Sequence, residues 1–278
     1  MQGVDLSDGT AAAVSVRLCF AWTLVSMGLL GCGAAKYEQR LIETTKYFAY
    51  VKKMDDNLRQ PWSAGSVNAY RVPKQFNPLP SPAPDAADDA EAPDEPDSRQ
   101  PDYMDIELPG LLGGWRATVD TKDGTESVSS YLYVLSNYDL FTLADSDERL
   151  SAVNFSHDLV SQVATALGAP RPAENTWNEL RVPLGEKYVE TQTFTEVRMH
   201  ATKPVIGVPT KASLYMIQAN DIQVVILLVV PQDADDKLFG QMNMSLETLE
   251  VSPETPQGVT LEAEGAEGGT PPRAGRNF

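Results

Sequence analysis

Apolar residues change their period several times along the chain, and each change marks an element. Between Lys36 and Leu58, Tyr37, Leu41, Phe48, Val51 and Leu58 recur at spacings built from threes and fours, with Lys, Glu and Arg between them, which predicts a helix. Thr44 and Asp55 interrupt the stripe and argue against a sustained coiled coil; Gln60-Pro61 and Ser63-Ala64-Gly65-Ser66 end it. Such a helix either packs its stripe on the following domain or serves as a stalk or oligomer contact. Ala69 to Phe76 reads as a short edge strand, where Pro73 is tolerated because an edge does not need every N–H.

Further on, Trp115 to Val119 and Val128 to Leu135 flank Thr121-Lys122-Asp123-Gly124-Thr125, and the Asp-Gly pair predicts a β-hairpin. A helix is expected to open at Asn154-Phe155-Ser156, with Asn154 or Ser156 as N-cap. Leu159, Val160, Val163, Ala164 and Leu167 form its apolar face, and Gly168 and Pro170 close it. Val189 to Ala201 and Lys211 to Gln218 read as strands, and Ala219-Asn220-Asp221 turns into a third, Ile222 to Val230. Val224 to Val230 are seven apolar residues in a row, so this strand is expected to be covered on both faces. Asp233 to Leu249 follows as a helix with acids at its start, and a last short strand lies near Val251.

Composition adds what periodicity omits. The segment 78–110 holds 8 Pro and 10 acids against Arg99 alone, a net charge of 1 − 10 = −9. Such a stretch buries too little apolar surface to offset its ordering entropy, so it is expected to be a disordered acidic insertion. It is either a solvated, self-repelling loop or an acidic arm for a cationic partner or divalent ions. The tail 253–278, rich in Pro, Gly and Glu, is expected to be disordered as well. With 22 basic and 39 acidic residues the chain carries −17, and it has no Lys/Arg cluster, so nucleic acid is not among the expected partners.

At the N-terminus Leu18 to Leu30 is an apolar run after Arg17, too short to span a bilayer as a helix and suited to a signal-peptide core. The first 16 residues contain Asp5 and Asp8 and no base, so a start at Val14 or Val16 would restore a positive leader. Leu29-Leu30-Gly31-Cys32 resembles the lipobox of bacterial lipoproteins. That resemblance implies cleavage between Gly31 and Cys32 and lipidation of Cys32 through a diacylglycerol thioether, usually with an N-acyl chain. Two or more acyl chains give stable anchoring, since each buried CH₂ contributes about 0.8 kcal/mol. Cys19 would leave with the leader, so the mature chain has no free thiol for catalysis or disulfides. Gly33 rather than Asp after the Cys favours the outer membrane under the sorting rule of such lipoproteins.

The expected organisation is a signal peptide over 1–31, an N-terminal helical segment over 32–62, an α/β domain over 63–252 interrupted by 78–110, and the tail over 253–278. Edge strand, hairpin, helix, three antiparallel strands and helix make an α+β fold, an antiparallel sheet sandwiched by helices. This topology, with Tyr70-Arg71-Val72-Pro73 near its start and Met244 to Val251 at its end, resembles the PsbP/Mog1/DcrB-like domains over Val67 to Ser252. The resemblance implies an accessory or binding role and brings no catalytic residue.

Chemistry-bearing groups are few. Ser156-His157-Asp158 are sequence neighbours, and a triad needs groups converging from separate elements, so they read as the start of a helix. His200 near a strand end is the second and last histidine, without the HExxH or cysteine partners of a metal site. Asp120, Asp123 and Glu126 flank the hairpin turn, but Lys122 breaks a calcium-loop spacing. Asp233, Asp235 and Asp236 suit a helix N-terminus. Gly110, Gly113 and Gly114 lack the Lys-Ser/Thr of a phosphate loop. No catalytic, cofactor-binding or metal-ligating residue is therefore assigned, and no cofactor is expected. The expectation is a lipid-anchored, extracytoplasmic, non-catalytic protein that contacts membrane lipid through Cys32 and binds a protein partner or envelope component. The alternative is a small-ligand or cation-binding module with a pocket between sheet and helix, and a polar pocket near His200 or the tyrosines would favour it.

Overall fold

The computed structural model describes residues 35–81, 97–122, 124, 127–142, 146–183 and 188–254. The chain divides into two units, Met1–Asp56 and Asn57–Phe278. Gly31, Cys32 and all of the expected signal peptide, 1–31, lie outside the described residues, as do 82–96 of the acidic insertion and the tail from 255.

The expected helix is present as α1, residues 35–57, all but its last residue in the first unit. Lys52 and Asp56 pair one turn apart at 3.1 Å, an exposed contact of small energetic weight. Of the apolar stripe, Tyr37, Leu41 and Phe48 are 67%, 55% and 64% exposed, whereas Val51 is half-buried and Leu58 is buried.

The described residues of the second unit form two antiparallel sheets and two further α-helices. The strands are β1 (Trp62–Ala64), β2 (Val67–Tyr70), β3 (Asn77–Pro78), β4 (Leu111–Asp120), β5 (Ser127–Ser136), β6 (Asn178–Val182), β7 (Gln192–His200), β8 (Thr210–Ala219), β9 (Ile222–Pro231) and β10 (Glu250–Val251). Helix α2 spans Ser146–Ala166 and α3 spans Asp236–Leu246. The larger sheet runs β3-β4-β5-β9-β8-β7-β6, and the smaller β1-β2-β10.

Strand β9 organises the whole. All ten of its residues are buried, as the uninterrupted apolar run predicts, and alternation sends them into two different cores. Val224, Ile226, Leu228 and Val230 pack with Leu238, Met242 and Leu246 of α3 and with Val67 and Tyr70 of the small sheet. Val225, Leu227 and Val229 pack with Phe155, Leu159, Val160, Val163 and Leu167 of α2. Each such side chain contributes about 1.5–3 kcal/mol by leaving water. Both of the two expected strand connections are present: β4 and β5 close as the hairpin with Asp120 opposite Ser127, and β8 turns into β9 through Asn220, whose φ is 54°.

Three expectations need correction. Strand β2 stops at Tyr70, before Pro73, and is the middle strand of its sheet with β1 and β10 on either side, so it is not an edge. Helix α2 begins at Ser146, well before Asn154, so neither Asn154 nor Ser156 caps it. Its end is as expected: Gly168 has φ 61° and Ala169 N donates to Ala164 O at 2.9 Å, satisfying a terminal carbonyl. Finally, residues 97–110 of the acidic insertion are folded. Gln100 receives Leu108 N at 2.8 Å and donates to Leu108 O at 3.2 Å. Met104 and Leu108 join the α2-side core, and Tyr103 stacks on Tyr131 at 4.2 Å between ring centroids.

Candidate functional site

Strands β7 and β8 are antiparallel neighbours with His200 opposite Lys211, Arg198 opposite Ser213 and Glu196 opposite Tyr215. Directly paired residues share a face, so six side chains of polar or aromatic type stand together. The same face carries Ile226, Leu228 and Val230 one strand further in, which places it on the α3 side of the sheet. Toward Tyr215 the face is covered; toward Lys211 it opens.

There Arg198, His200, Lys211, Ser213, Gln232, Asp236 and Phe239 line a cleft of about 440 Å³, within the range of small-molecule sites. Its walls are built locally. Asp235 caps α3, accepting from Lys237 N at 3.1 Å, and so presents Asp236 and Phe239 from the first turn. The hairpin end is pinned beside it by Lys122 N donating to Asp233 O at 2.9 Å. Lys122 Nζ then reaches Asp236 Oδ1 at 2.8 Å.

Each charge has a distinct environment. Glu196, 4% exposed, receives Arg198 Nε at 2.8 Å and faces Arg198 Nη2 at 2.8 Å. The Asp236 carboxylate holds Lys122 above the usual lysine range, with Asp235 and Asp233 adding to it. Lys211 is half-buried, and its ammonium lies 4.2 Å from the Phe239 ring centroid. Burial lowers its pKa, as do the neighbouring Lys122 and Arg198, with Asp236 and Asp233 acting against them. The Tyr215 hydroxyl is pushed up chiefly by burial and next by Glu196.

Compared with known proteins, the chain matches no family model and no curated protein.

The other sequence candidates separate. The Ser156 hydroxyl donates to Gln223 Oε1 at 2.7 Å, and Ser156 N donates to the same atom at 3.0 Å. His157 Nδ1 instead faces Glu174 Oε1 at 3.3 Å and its ring lies 4.8 Å from that of Trp177, so these neighbours serve different contacts. Asp120 accepts from Ser127 across the hairpin end; Asp123 and Glu126 lie outside the described residues. Gly113 and Gly114 are inside β4, and Gly110 precedes it.

A second concavity, about 730 Å³ and shallow, is lined by residues of the single stretch 97–107, including Asp97, Asp102, Asp105 and Glu107. Asp97 is engaged by Arg99 at 2.7 Å, which holds it below the usual carboxylate range. Among the described residues, no three His, Cys, Asp or Glu side chains gather as a metal site. From the sequence alone His200 stands out, whereas Lys211, Arg198, Ser213 and Phe239 do not. The signal was the polar alternation Glu196, Arg198, His200 on one strand and Lys211, Ser213 on the next. Only the pairing register puts them together.

Proposed function

We propose that the protein is a lipid-anchored, extracytoplasmic binding module, non-catalytic, whose folded domain holds a small polar ligand in the cleft over β7 and β8. The observation that carries this reading is the convergence of polar side chains from β7, β8 and the start of α3 on one cleft beside His200. The separation of Ser156 and His157 into different contacts supports binding over hydrolysis. Two cores on opposite faces of the larger sheet, one with α2 and one with α3, support the expected sheet between helices and the PsbP/Mog1/DcrB-like arrangement.

Anchoring rests on the apolar run before Gly31-Cys32. No helix among the described residues is long and apolar enough to cross a membrane. Fractionation of cells expressing a Cys32→Ala variant tests the anchor: the variant is expected in the soluble fraction, and its retention with membranes overturns lipidation at Cys32.

A protein or envelope partner is the second reading, favoured by one observation. Among the described residues, five of the six exposed large hydrophobics, Tyr37, Leu41, Ile42, Tyr47 and Phe48, belong to α1. A partner held there is expected to crosslink in intact cells to the wild type and not to a Leu41→Glu, Phe48→Glu variant; equal crosslinking of both removes α1 as the contact.

A further inference from the structure

We infer that the cleft is selective for anions: its ligand is a small molecule bearing a phosphate or carboxylate group, seated between Lys211 and Arg198. The inference rests on the reading of the cleft as a ligand site and adds the ligand's chemical class.

The argument is one of missing counter-charge. Two cations, Lys211 and Arg198, line the cleft in a chain whose net charge is −17, and a third, Lys122, is paired with its lining residue Asp236. Lys122 has Asp236 and Arg198 has Glu196. Lys211 has no carboxylate within ion-pair distance among the described residues; its contact is the face of Phe239. A half-buried ammonium close to two other cations is disfavoured in its charged form, and an oxyanion beside it would relieve both the burial and the repulsion. Glu196, buried below, takes up the Nε and Nη2 of Arg198. Arg198 Nη1 has no hydrogen bond among the described residues, so a guanidinium edge remains for charge-assisted contact with an oxyanion. Ser213, paired across from Arg198, brings a hydroxyl, and Gln232 an amide.

A cation entering the same space would meet Lys211 and Arg198, while Asp236 is already engaged by Lys122. A wholly apolar ligand would find one aromatic wall, Phe239, and leave the half-buried Lys211 without a counter-charge. The volume, about 440 Å³, suits a metabolite-sized molecule with one or two anionic groups and a part that lies on Phe239.

The test follows backbone amides of the full-length, ¹⁵N-labelled chain by NMR during titration with inorganic phosphate, citrate, calcium chloride and glucose, each at ionic strength fixed by sodium chloride. Saturable shifts at 198–200, 211–213 and 232–239 with phosphate or citrate are expected, and whichever binds more tightly distinguishes a phosphate from a carboxylate ligand. Lys211→Gln is expected to weaken that binding at least tenfold, and Lys211→Arg, which keeps the charge, to retain most of it. Equal affinity in wild type and Lys211→Gln overturns the proposal. Saturation with calcium or glucose but with neither anion overturns the anion class and leaves the cleft a ligand site. No saturable shift in the cleft with any probe overturns the anion class and the ligand-site reading together.

Discussion

Buried hydroxyls and cations give individual residues a thermodynamic signature. Tyr70, Tyr103, Tyr133 and Tyr215 all have phenols raised above the ordinary value, with burial the first cause in each. The Tyr103 and Tyr133 hydroxyls lie 3.0 Å apart, a contact that adds to the rise at Tyr103 and works against burial at Tyr133. The folded state therefore keeps these protons where the unfolded chain, with tyrosines near pH 10, releases them. Their contribution to stability is complete below about pH 10 and falls as pH rises beyond it. Absorbance at 295 nm is expected to show these four phenols ionising together with loss of folded structure, not before it; ionisation of all ten tyrosines in a still-folded chain would contradict their burial. Lys211 carries the opposite sign. Its lowered pKa means the charged form is disfavoured in the folded state, so that penalty is present at neutral pH and is relieved as pH rises toward the ordinary lysine range. Its charge works against folding, which is a reason to look for its role in binding.

Elements were legible where one kind of signal dominated. The continuous apolar run of β9, the Asp-Gly hairpin and the Gly168 stop of α2 each rest on strong local chemistry, and each appears in the structure. Strand β6 was not legible because Asn-Glu-Leu-Arg-Val is a mostly exposed edge strand held by its pairing with β7. Helix α2 was misjudged at its start because Asn154 and Ser156 look like caps. Ser156 instead uses its N–H and hydroxyl on Gln223, a residue of β9 distant in sequence. Residues 97–110 were assigned by composition, which weighs every acid and proline equally. Composition could not register that Gln100, Tyr103, Met104 and Leu108 find specific partners. Gly110 locks that stretch to the sheet: its φ is 61°, and Ser136 N donates to its carbonyl at 2.9 Å. An added Cβ would lie 2.0 Å from Ser136 O. Gly110→Ala is expected to destabilise the domain by about 2–3 kcal/mol, read as a shift in urea midpoint; a change below about 0.5 kcal/mol would mean that the loop accommodates the methyl group.

At the scale of the molecule, charge and apolar surface are unevenly distributed. Of the −17 total, −9 falls within 78–110, and among the described residues most of the exposed large hydrophobics belong to α1. The cleft runs against the overall charge, which is why composition pointed toward cations while the local geometry points toward anions. The acidic remainder of the chain would repel an incoming anion at long range, an effect that weakens with salt over about 10 Å at 0.1 M. Selectivity therefore has to come from contacts inside the cleft. The small sheet has a different consequence. Strand β10 pairs with β2 so that Val251 lies opposite Val67, which brings the two ends of the domain side by side although most of its chain lies between them. Neighbouring ends are the geometry that circular permutation requires. The β4–β5 hairpin tip, with its exposed Gly124, is the natural place to reopen the ring. In a chain so permuted the order of elements would change while β9 kept both of its cores, so the domain's identity resides in that strand's two faces and not in where the chain begins.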